Sequence, residues 1–388
     1  MNQPLETYQD ETYLNGLAGA TPILPARLGA LEELAMHRLA PEAFDYIRGG
    51  AGTEDSVREN LAAFRRWRIV PRMLTDVSAA SYASTVLGSL LPAPIMLGPV
   101  GVLKLAHPDG EVAVARAAAA MGVPMVMSTA ASCTIEEVAK ANGDGQRWFQ
   151  FYWPSDRDIA ASFLERAGAA GFTVLVLTLD TRLLGYRPRD LDRAFLPFLR
   201  GIGNQNYFSD PAFVAGLPGP AEEHFDEAIL RWTQIFGDPS ITWDDLPFLR
   251  EHWDGPIVLK GIQSADDAKR AADAGMDGVV VSNHGGRQVD GGVSALDALP
   301  PVAAAVGSQL TVLFDSGIRS GADVVKALAL GARAVMIARP YVYALGLAGE
   351  AGVTHVLRAL RQEFELTMRL AGHASLADLS PDALIRIH

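Results

Sequence analysis

Residues 311–340 read TVLFDSGIRSGADVVKALALGARAVMIARP, a run in which a strand, a helix and a second strand follow one another. The apolar runs Thr311–Asp315 and Ala334–Ala338 are short and lie next to glycine or proline, as is typical of buried parallel strands. The segment from Gly321 to Leu328 is rich in alanine and valine, and Gly331 marks a helix end. This stretch therefore predicts one βα unit and the next strand of a parallel sheet.

The same unit repeats along the chain from about residue 93. Ala-rich helical segments alternate with eight candidate strands: Pro94–Gly98, Pro124–Ser128, Arg147–Tyr152, Thr173–Thr178, Ile257–Lys260, Gly278–Ser282, Thr311–Asp315 and Ala334–Ala338. Eight such units predict a closed TIM (β/α)8 barrel. A doubly wound sheet is the alternative on periodicity alone, but no glycine-rich dinucleotide fingerprint follows the first strand.

The two ends of the chain lie outside the repeat. Residues 1–92 have a mostly helical pattern, clearest at Leu31–Met36 and Pro41–Tyr46, and are expected to form a helical cap at one end of the barrel. The barrel is expected over about 93–350 and a C-terminal helical segment over about 351–388. No second independent core is visible, so we expect a single domain.

One connection inside the repeat is unusually long. Between Thr178 and Ile257 the chain carries many aromatics, prolines and glycines, too many residues for an ordinary βα loop. We interpret about 182–255 as a lid over the barrel mouth after the fourth strand. A structural or oligomer-contact insertion is the alternative, because long loops serve either use.

Composition excludes several classes of partner. A chain that is 49% hydrophobic and 20% charged can bury a sizeable core. Its formal net charge of −12 argues against nucleic acid or an anionic membrane surface as the main partner. Cys133 is the only cysteine, which excludes an intramolecular disulfide and fits a reducing compartment. With no secretory leader or spanning stretch recognisable, a cytoplasmic location away from membranes is expected.

Reactive side chains fall at the predicted strand ends. In barrel enzymes the functional groups cluster at the C-terminal ends of the strands. The residues at these positions are Ser128, Gln150, Tyr152, Thr178, Asp180, Lys260, His284, Arg287, Asp315 and Arg339. This concentration of polar and titratable groups predicts an active site at the barrel mouth.

The segment Ser282–Gln288 reads SNHGGRQ and follows the sixth strand. An imidazole at His284 is a candidate base near neutral pH, and the guanidinium of Arg287 suits bidentate binding of a carboxylate. Asp180, after the fourth strand, is placed to bond the other ring nitrogen of His284. Capping of a helix is the alternative role for Asp180.

Arg319 and Arg339 follow the seventh and eighth strands, where many barrels bind phosphate. This pattern predicts a phosphorylated cofactor. At the end of the fifth strand, Lys260 is a candidate cation beside a reduced cofactor ring, and Schiff-base chemistry is its alternative. The scattered histidines and the absence of paired cysteines or a His-x-x-x-His motif predict no metal site.

Taken together, four motifs resemble the FMN-dependent L-2-hydroxy acid oxidase and dehydrogenase family: Ser282–Gln288, Leu177–Thr181 (LTLDT), Phe314–Arg319 (FDSGIR) and Val258–Gly261 (VLKG). The resemblance extends from about residue 30 to the C-terminus. It implies a TIM barrel with FMN as the cofactor, a small 2-hydroxy carboxylate and O₂ as the reactants, and a homo-oligomer, either a tetramer or an octamer.

The resemblance also implies a role for each matching residue. His284 corresponds to the catalytic base and Asp180 to its partner. Four further residues are implied to contact substrate: Tyr46, Tyr152, Arg187 and Arg287. The residues implied to contact the flavin are Gly98, Pro99, Val100, Ser128, Gln150, Thr178, Lys260, Ser282, Asp315, Gly317, Arg319, Ala338 and Arg339. Ala338 stands where family members usually have glycine, which puts the closeness of that backbone to phosphate in doubt.

Two features resemble the lactate 2-monooxygenase branch of the family. Gly101 follows Gly98-Pro-Val, and the segments Gly185–Leu191 and Asn206–Pro211 are similar to the lid of that branch. By this comparison Tyr207 is expected to be a lid residue that reaches the substrate.

The reaction implied by this branch is conversion of L-lactate and O₂ into acetate, CO₂ and water, with pyruvate caged in the site. An oxidase that releases the keto acid and peroxide is an alternative, as is a dehydrogenase for a larger acid such as mandelate. A non-catalytic flavin-binding sensor is the rival of another class, and it has no need for a base, its acidic partner and two arginines together.

Overall fold

The central feature of the computed structural model, which describes residues 7–387, is a closed barrel of eight parallel strands in the order β10-β11-β4-β5-β6-β7-β8-β9. The strands are β1 (Trp67–Ile69), β2 (Ser84–Val86), β3 (Ser89–Leu91), β4 (Ile95–Leu97), β5 (Met125–Ser128), β6 (Arg147–Phe151), β7 (Leu175–Thr178), β8 (Ile257–Ile262), β9 (Gly278–Val281), β10 (Thr311–Phe314), β11 (Ala334–Ile337) and β12 (Leu384–Arg386). The predicted TIM barrel is confirmed, and each of the eight predicted strands is present within one to two residues of its predicted bounds.

Helices surround the barrel. Their bounds are α1 (Tyr8–Leu17), α2 (Leu31–Arg38), α3 (Pro41–Arg48), α4 (Asp55–Arg65), α5 (Gly110–Ala120), α6 (Ile135–Asn142), α7 (Arg157–Ala169), α8 (Pro188–Asp192), α9 (Gln205–Phe208), α10 (Pro211–Val214), α11 (Phe225–Ile235), α12 (Pro247–His252), α13 (Ala265–Asp273), α14 (Ala295–Val306), α15 (Gly321–Ala329) and α16 (Arg339–Leu370). Ser264 caps the N-terminus of α13, because its hydroxyl accepts the Asp267 N–H at 3.0 Å. Within residues 7–387, none of the helices combines the length and apolarity needed to cross a bilayer.

The end of the barrel opposite the mouth, which we call the lower end, is filled by a hairpin. Strands β2 and β3 pair antiparallel and insert Val86 and Leu91, both buried, into the apolar interior formed by residues such as Met96. The Trp148 indole N–H, on β6, donates to the Ser89 hydroxyl of this hairpin at 2.9 Å. The N-terminal extension contains helices α1 to α4, as predicted, and this hairpin of two short strands is an addition that the sequence pattern did not indicate.

The chain ends differ from the predicted boundaries. Helix α16 runs through the expected boundary near residue 350, with non-helical backbone at Ala348 and Gly349, and the C-terminal segment ends in a strand. That strand, β12, pairs antiparallel with β1, so Trp67 lies opposite Arg386. The N-terminal residues 1–6 and His388, parts of the predicted extension and tail, lie outside the described range.

The insertion between β7 and β8 lies across the barrel mouth, where Leu184, Phe198 and Phe236 line the central cavity. Five charged residues, which we name the lid latch, tie α8 to the N-terminal extension: Asp45, Arg48, Glu54, Arg189 and Arg193. At their centre, Glu54 accepts from Arg189 Nε at 2.6 Å and pairs with Arg48. Burial alone would raise the pKa of Glu54, but hydrogen bonds from Arg189, Arg48 and the Gly50 N–H lower it to about 2.

We expect Glu54→Gln to lower the Tm near neutral pH, because the variant loses the carboxylate charge of the lid latch. A carboxylate whose pKa is lowered on folding stabilises above its ordinary pKa of 4.5 and loses that contribution as pH falls toward about 2. The Tm difference between the variant and the wild type should therefore shrink over that interval, as thermal unfolding at a series of pH values will measure. Glu33→Gln, at an exposed position of α2, is the control. A Tm difference that is the same at every pH contradicts the assignment.

Candidate active site

A single cavity at the C-terminal end of the barrel collects residues that follow seven of the barrel strands and, from the eighth, Lys260 within β8. Its empty space is about 1150 Å³, part of it open to solvent. Most of the predicted site residues line it: Tyr46, Pro99, Val100, Ser128, Tyr152, Arg187, Lys260, His284, Arg287, Asp315, Gly317, Arg319, Ala338 and Arg339. Others lie at neighbouring strand ends outside the lining: Gly98, Gln150, Thr178, Asp180 and Ser282.

His284 lies in a short 3-10 turn directly after β9, with a left-handed backbone at φ 57°. Its backbone N–H donates to the Ser282 hydroxyl at 3.0 Å, and Nδ1 lies 2.7 Å from Asp180 Oδ1. Because the ionised carboxylate only accepts, Nδ1 carries the hydrogen and Nε2 carries the lone pair. Nε2 is therefore the nitrogen able to take a proton.

The electrostatics keep His284 neutral and Asp180 ionised. Burial lowers the pKa of His284, the Asp180 carboxylate raises it, and the Lys260 and Arg187 cations lower it again, leaving it below its usual value. Burial raises the pKa of Asp180, but its interactions with His284, with the Lys260 cation and with the Thr181 hydroxyl overcome this effect and bring it to about 2. A neutral imidazole held by an ionised carboxylate is the resting state that a general base requires.

Room for Asp180 comes from an irregularity in β8. Gly261 adopts φ +104°, where the pairing of β8 with β9 shifts between Lys260 and Ile262. A Cβ at Gly261 would lie 2.9 Å from Asp180 Oδ2, so a side chain there would push against the carboxylate. The glycine thus lets Asp180 reach His284 across the intervening strand.

Two arginines face the same cavity. Arg187 donates from Nε to the Arg287 carbonyl at 3.2 Å and from Nη2 to Gln288 Oε1 at 2.9 Å. Arg287 donates from Nη1 to the carbonyls of Tyr46 and Gly49 at 2.6 and 2.8 Å. Among the described residues these partners are neutral, so neither positive charge is offset by a contacting carboxylate. Burial and the neighbouring Arg287 lower the pKa of Arg187 to about 10, a cost that a bound anion would relieve.

Tyrosine hydroxyls complete the polar wall around the arginines. The Arg287 guanidinium stacks on the Tyr46 ring at 4.9 Å from the ring centroid. Burial, together with the negative charge of Asp180, raises the pKa of Tyr152 to about 12. The Tyr152 hydroxyl is therefore protonated at neutral pH and able to donate a hydrogen bond into the cavity.

A buried lysine lies at the floor of the cavity. Lys260 Nζ contacts Ser282 Oγ at 3.0 Å and Asp315 Oδ2 at 3.2 Å. Burial lowers its pKa, but Asp315 and Asp180 outweigh this effect, so the net shift is upward and the ammonium persists. This cation can neutralise negative charge on a ring lying above it.

Two polar atoms close by have no hydrogen-bond partner among residues 7–387. Gln150, through Oε1, accepts from the Ser128 hydroxyl at 2.7 Å, yet its Nε2 is buried without a hydrogen bond, as is Thr178 Oγ1. Buried polar groups are nearly always satisfied, so these atoms indicate a missing polar ligand. A flavin ring, with its carbonyl oxygens and its N–H, presents the acceptors and the donor that Gln150 and Thr178 require.

The phosphate end of the cavity lies beyond β10 and β11. Gly317 has φ +111°, and Ala338 caps the N-terminus of α16, where backbone N–H groups favour an anion. Arg339 uses three N–H groups on the carbonyls of Ile47, Gly285 and Gly49, which leaves two of its five for a ligand. Ala338 lines the cavity and is only partly buried.

Tyr207 is not in the cavity. It is fully buried, with its ring 4.8 Å from that of Phe163 on α7 and 5.6 Å from that of Phe213 on α10. Helix α9 borders the end of β5, where Asn206 donates to the Thr129 carbonyl at 2.9 Å, but the Tyr207 ring points toward α7 and α10 and does not line the cavity. The prediction that Tyr207 reaches the substrate is therefore wrong. Gly101 does line the cavity, but a Cβ there would point at Ala130, 2.5 Å from its carbonyl oxygen.

Several cavity residues were missed by sequence reasoning: Thr181, Leu184, Phe198, Phe236 and Ser316. Phe198 and Phe236 stack on each other at 5.8 Å, and Tyr152 meets Phe236 edge-on at 5.5 Å, so an aromatic wall closes one side. The aromatic content of the lid was the available signal for this wall. Thr181 lies inside the LTLDT motif, where its hydroxyl next to Asp180 was the signal.

This combination of a base, paired cations and a polar cradle at the mouth of a (β/α)8 barrel defines a flavin-dependent oxidoreductase that binds carboxylates. A family model described as FMN-dependent dehydrogenase matches residues 35–386, and the chain belongs to this family. It is therefore an FMN-dependent enzyme of 2-hydroxy acid oxidation.

Curated relatives and solved structures support the same family assignment. An FMN-dependent alpha-hydroxy acid dehydrogenase of Penicillium citrinum is 46% identical over 98% of this chain and 94% of its own. An L-lactate oxidase of Lysinibacillus sphaericus is 39% identical over 98% of this chain and 97% of its own. A crystal structure of mandelate oxidase is similar with a TM-score of 0.82 at 38% identity, covering 93% of this chain and 98% of that one.

We expect Thr178→Val to weaken FMN binding by about tenfold, the equivalent of one lost hydrogen bond. Because Thr178 Oγ1 has no hydrogen-bond partner in the described part of the chain, the substitution should leave the Tm of the apoprotein unchanged or higher. Fluorescence titration of apoprotein with FMN and thermal unfolding test the two halves of the prediction. Thr354→Val, on the exposed face of α16, is the control, and an unchanged FMN affinity in Thr178→Val excludes this contact.

Proposed function

We propose that the protein oxidises a small L-2-hydroxy acid, L-lactate as the expected substrate, with O₂ as the electron acceptor. The observation that carries the proposal is the arrangement of a neutral His284, held by Asp180, in one cavity with the uncompensated Arg187 and Arg287. A carboxylate and an adjacent hydroxyl are what such a site is built to bind.

In this reaction each side chain has one task. Arg187 and Arg287 bind the substrate carboxylate, and the hydroxyls of Tyr46 and Tyr152 hydrogen-bond the substrate. His284 accepts a proton at Nε2, from the hydroxyl group or from the α-carbon, and Asp180 stabilises the resulting imidazolium. FMN supplies the acceptor for the two electrons, with Gln150, Thr178, Lys260 and the phosphate cradle as the residues that would hold it.

We propose that the keto acid is decarboxylated before release, so that L-lactate and O₂ yield acetate, CO₂ and water. Support comes from enclosure: Leu184, Phe198 and Phe236 of the insertion cover the cavity, and the lid latch holds the insertion in place. The two sequence features that favoured this outcome add little, because Tyr207 lies elsewhere and the Cα–Cβ direction at Gly101 points at the barrel wall.

Two observations favour other outcomes. The likeness to an L-lactate oxidase favours release of pyruvate and peroxide. The aromatic wall of Tyr152, Phe198 and Phe236 favours a larger acid such as mandelate, in keeping with the likeness to mandelate oxidase. A panel of 2-hydroxy acids ranks these substrates.

We also propose a cytoplasmic location and a tetrameric or octameric assembly. Exposed apolar side chains beside the mouth, Leu183, Tyr186 and Val289, offer a surface for subunit contact. Light scattering coupled to size exclusion measures the assembly, and a monomer would overturn that part.

We expect His284→Ala to slow anaerobic reduction of the flavin by L-lactate by about 10²- to 10⁴-fold, since the proton acceptor is lost. Stopped-flow absorbance measures the rate. His37→Ala, on the exposed face of α2, is the control and should behave as wild type. Rapid reduction in His284→Ala would remove His284 from the reaction.

Product analysis after aerobic turnover separates the outcomes. Acetate without free peroxide supports decarboxylation in the closed site. Pyruvate with equimolar peroxide makes the protein an oxidase. Absence of flavin reduction by every 2-hydroxy acid of the panel contradicts the proposed substrate class.

A further inference from the structure

The Thr181 hydroxyl lies between the two members of the His284–Asp180 pair. Thr181 is buried at the cavity wall, at 7% exposure, and its Oγ1 is 2.9 Å from Asp180 Oδ1 and 3.1 Å from His284 Nδ1. The three polar atoms form a closed triangle, completed by the 2.7 Å contact between the imidazole and the carboxylate. None of the roles described so far uses this hydroxyl.

The positions of the hydrogen atoms determine the direction of the hydrogen bond made by the Thr181 hydroxyl. His284 Nδ1 already carries a hydrogen, which it donates to Asp180, so it has no lone pair to accept from Thr181. The single hydroxyl hydrogen of Thr181 is therefore donated to Asp180 Oδ1. That oxygen receives two hydrogen bonds, whereas Asp180 Oδ2 is buried without a partner.

We propose that Thr181 is a positioning residue that tunes the base strength of His284 through Asp180. A second donor on the same oxygen spreads the carboxylate charge and weakens its hold on the imidazole proton. The Thr181 hydroxyl thus keeps the imidazole neutral to lower pH than Asp180 alone would allow. This inference rests on the proposed role of His284 as the base.

The other charged or titratable groups near the pair come from several elements and are unchanged by substitution at Thr181. They are Tyr46 of α3, Tyr152 after β6, Arg187 of the lid, Lys260 of β8 with its partner Asp315 after β10, Arg287 after β9, and Arg339 at the start of α16. A shift of the pH profile in a Thr181 variant therefore reports the lost hydroxyl.

The test is the pH dependence of kcat/KM for the holoenzyme of Thr181→Val, which keeps the shape and removes the hydroxyl. The 2-hydroxy acid that reduces the flavin fastest is the substrate. Without the second donor, Asp180 holds the imidazole proton more strongly, the pKa of His284 rises, and the acid limb moves upward by about half a pH unit or more. Below that limb, kcat/KM of the variant relative to its own plateau is about threefold lower than that of the wild type.

Two further variants separate the effect of the Thr181 hydroxyl group from the effect of side-chain shape. Thr181→Ser keeps the donor and should retain the wild-type limb. Thr181→Ala removes the donor and only deletes atoms at the cavity wall, so it should shift the limb as far as Thr181→Val does. An acid limb that stays at the wild-type pH in both Val and Ala variants, or shifts in only one of them, overturns the proposal. Unimpaired flavin reduction in His284→Ala would instead overturn the proposed function itself.

Discussion

The 2.7 Å hydrogen bond between His284 and Asp180 joins the ends of two strands, β9 and β7, that are not neighbours in the barrel. It forms only if β7, β8 and β9 pair in the correct register and if the intervening strand β8 gives way at Gly261. Because both groups are buried, an error in either condition would leave a buried charge without its partner. The chemistry at the mouth therefore depends on the register of these three strands.

The N-terminal extension also positions side chains of the candidate active site. Carbonyl oxygens of Tyr46, Ile47 and Gly49, at the end of α3, accept hydrogen bonds from Arg287 and Arg339. These bonds orient both guanidinium groups without neutralising them, since a carbonyl supplies a dipole and no net charge. The extension thus aims two cations at the cavity and leaves their charge available to a ligand.

Much of the fold and of the site could be predicted from the sequence because each depends on local signals. Buried parallel strands are continuous apolar runs, and the residue that follows such a run must lie at the mouth, which is why His284, Lys260 and Asp315 were found. The hairpin that inserts Val86 and Leu91 was missed because two three-residue strands have too little periodicity to recognise.

The prediction for Tyr207 was wrong for a different reason. Its position depends on how several short helices of the insertion turn back on α7, and nothing local in the sequence encodes that path. Thr181 was overlooked because its importance lies in the distance to His284, a residue more than a hundred positions away. Roles that depend on contacts distant in sequence become visible only once the chain is folded.

The hairpin at the lower end also determines how the enzyme exchanges material with its surroundings. Val86 and Leu91 fill the barrel interior from the end opposite the mouth. In the described chain the mouth is therefore the common entrance for cofactor, substrate, oxidant and product. Because the insertion lies across this entrance, whatever enters or leaves the site passes its residues Leu184, Phe198 and Phe236. Decarboxylation of the keto acid before release requires O₂ to pass these residues while the organic acid stays bound.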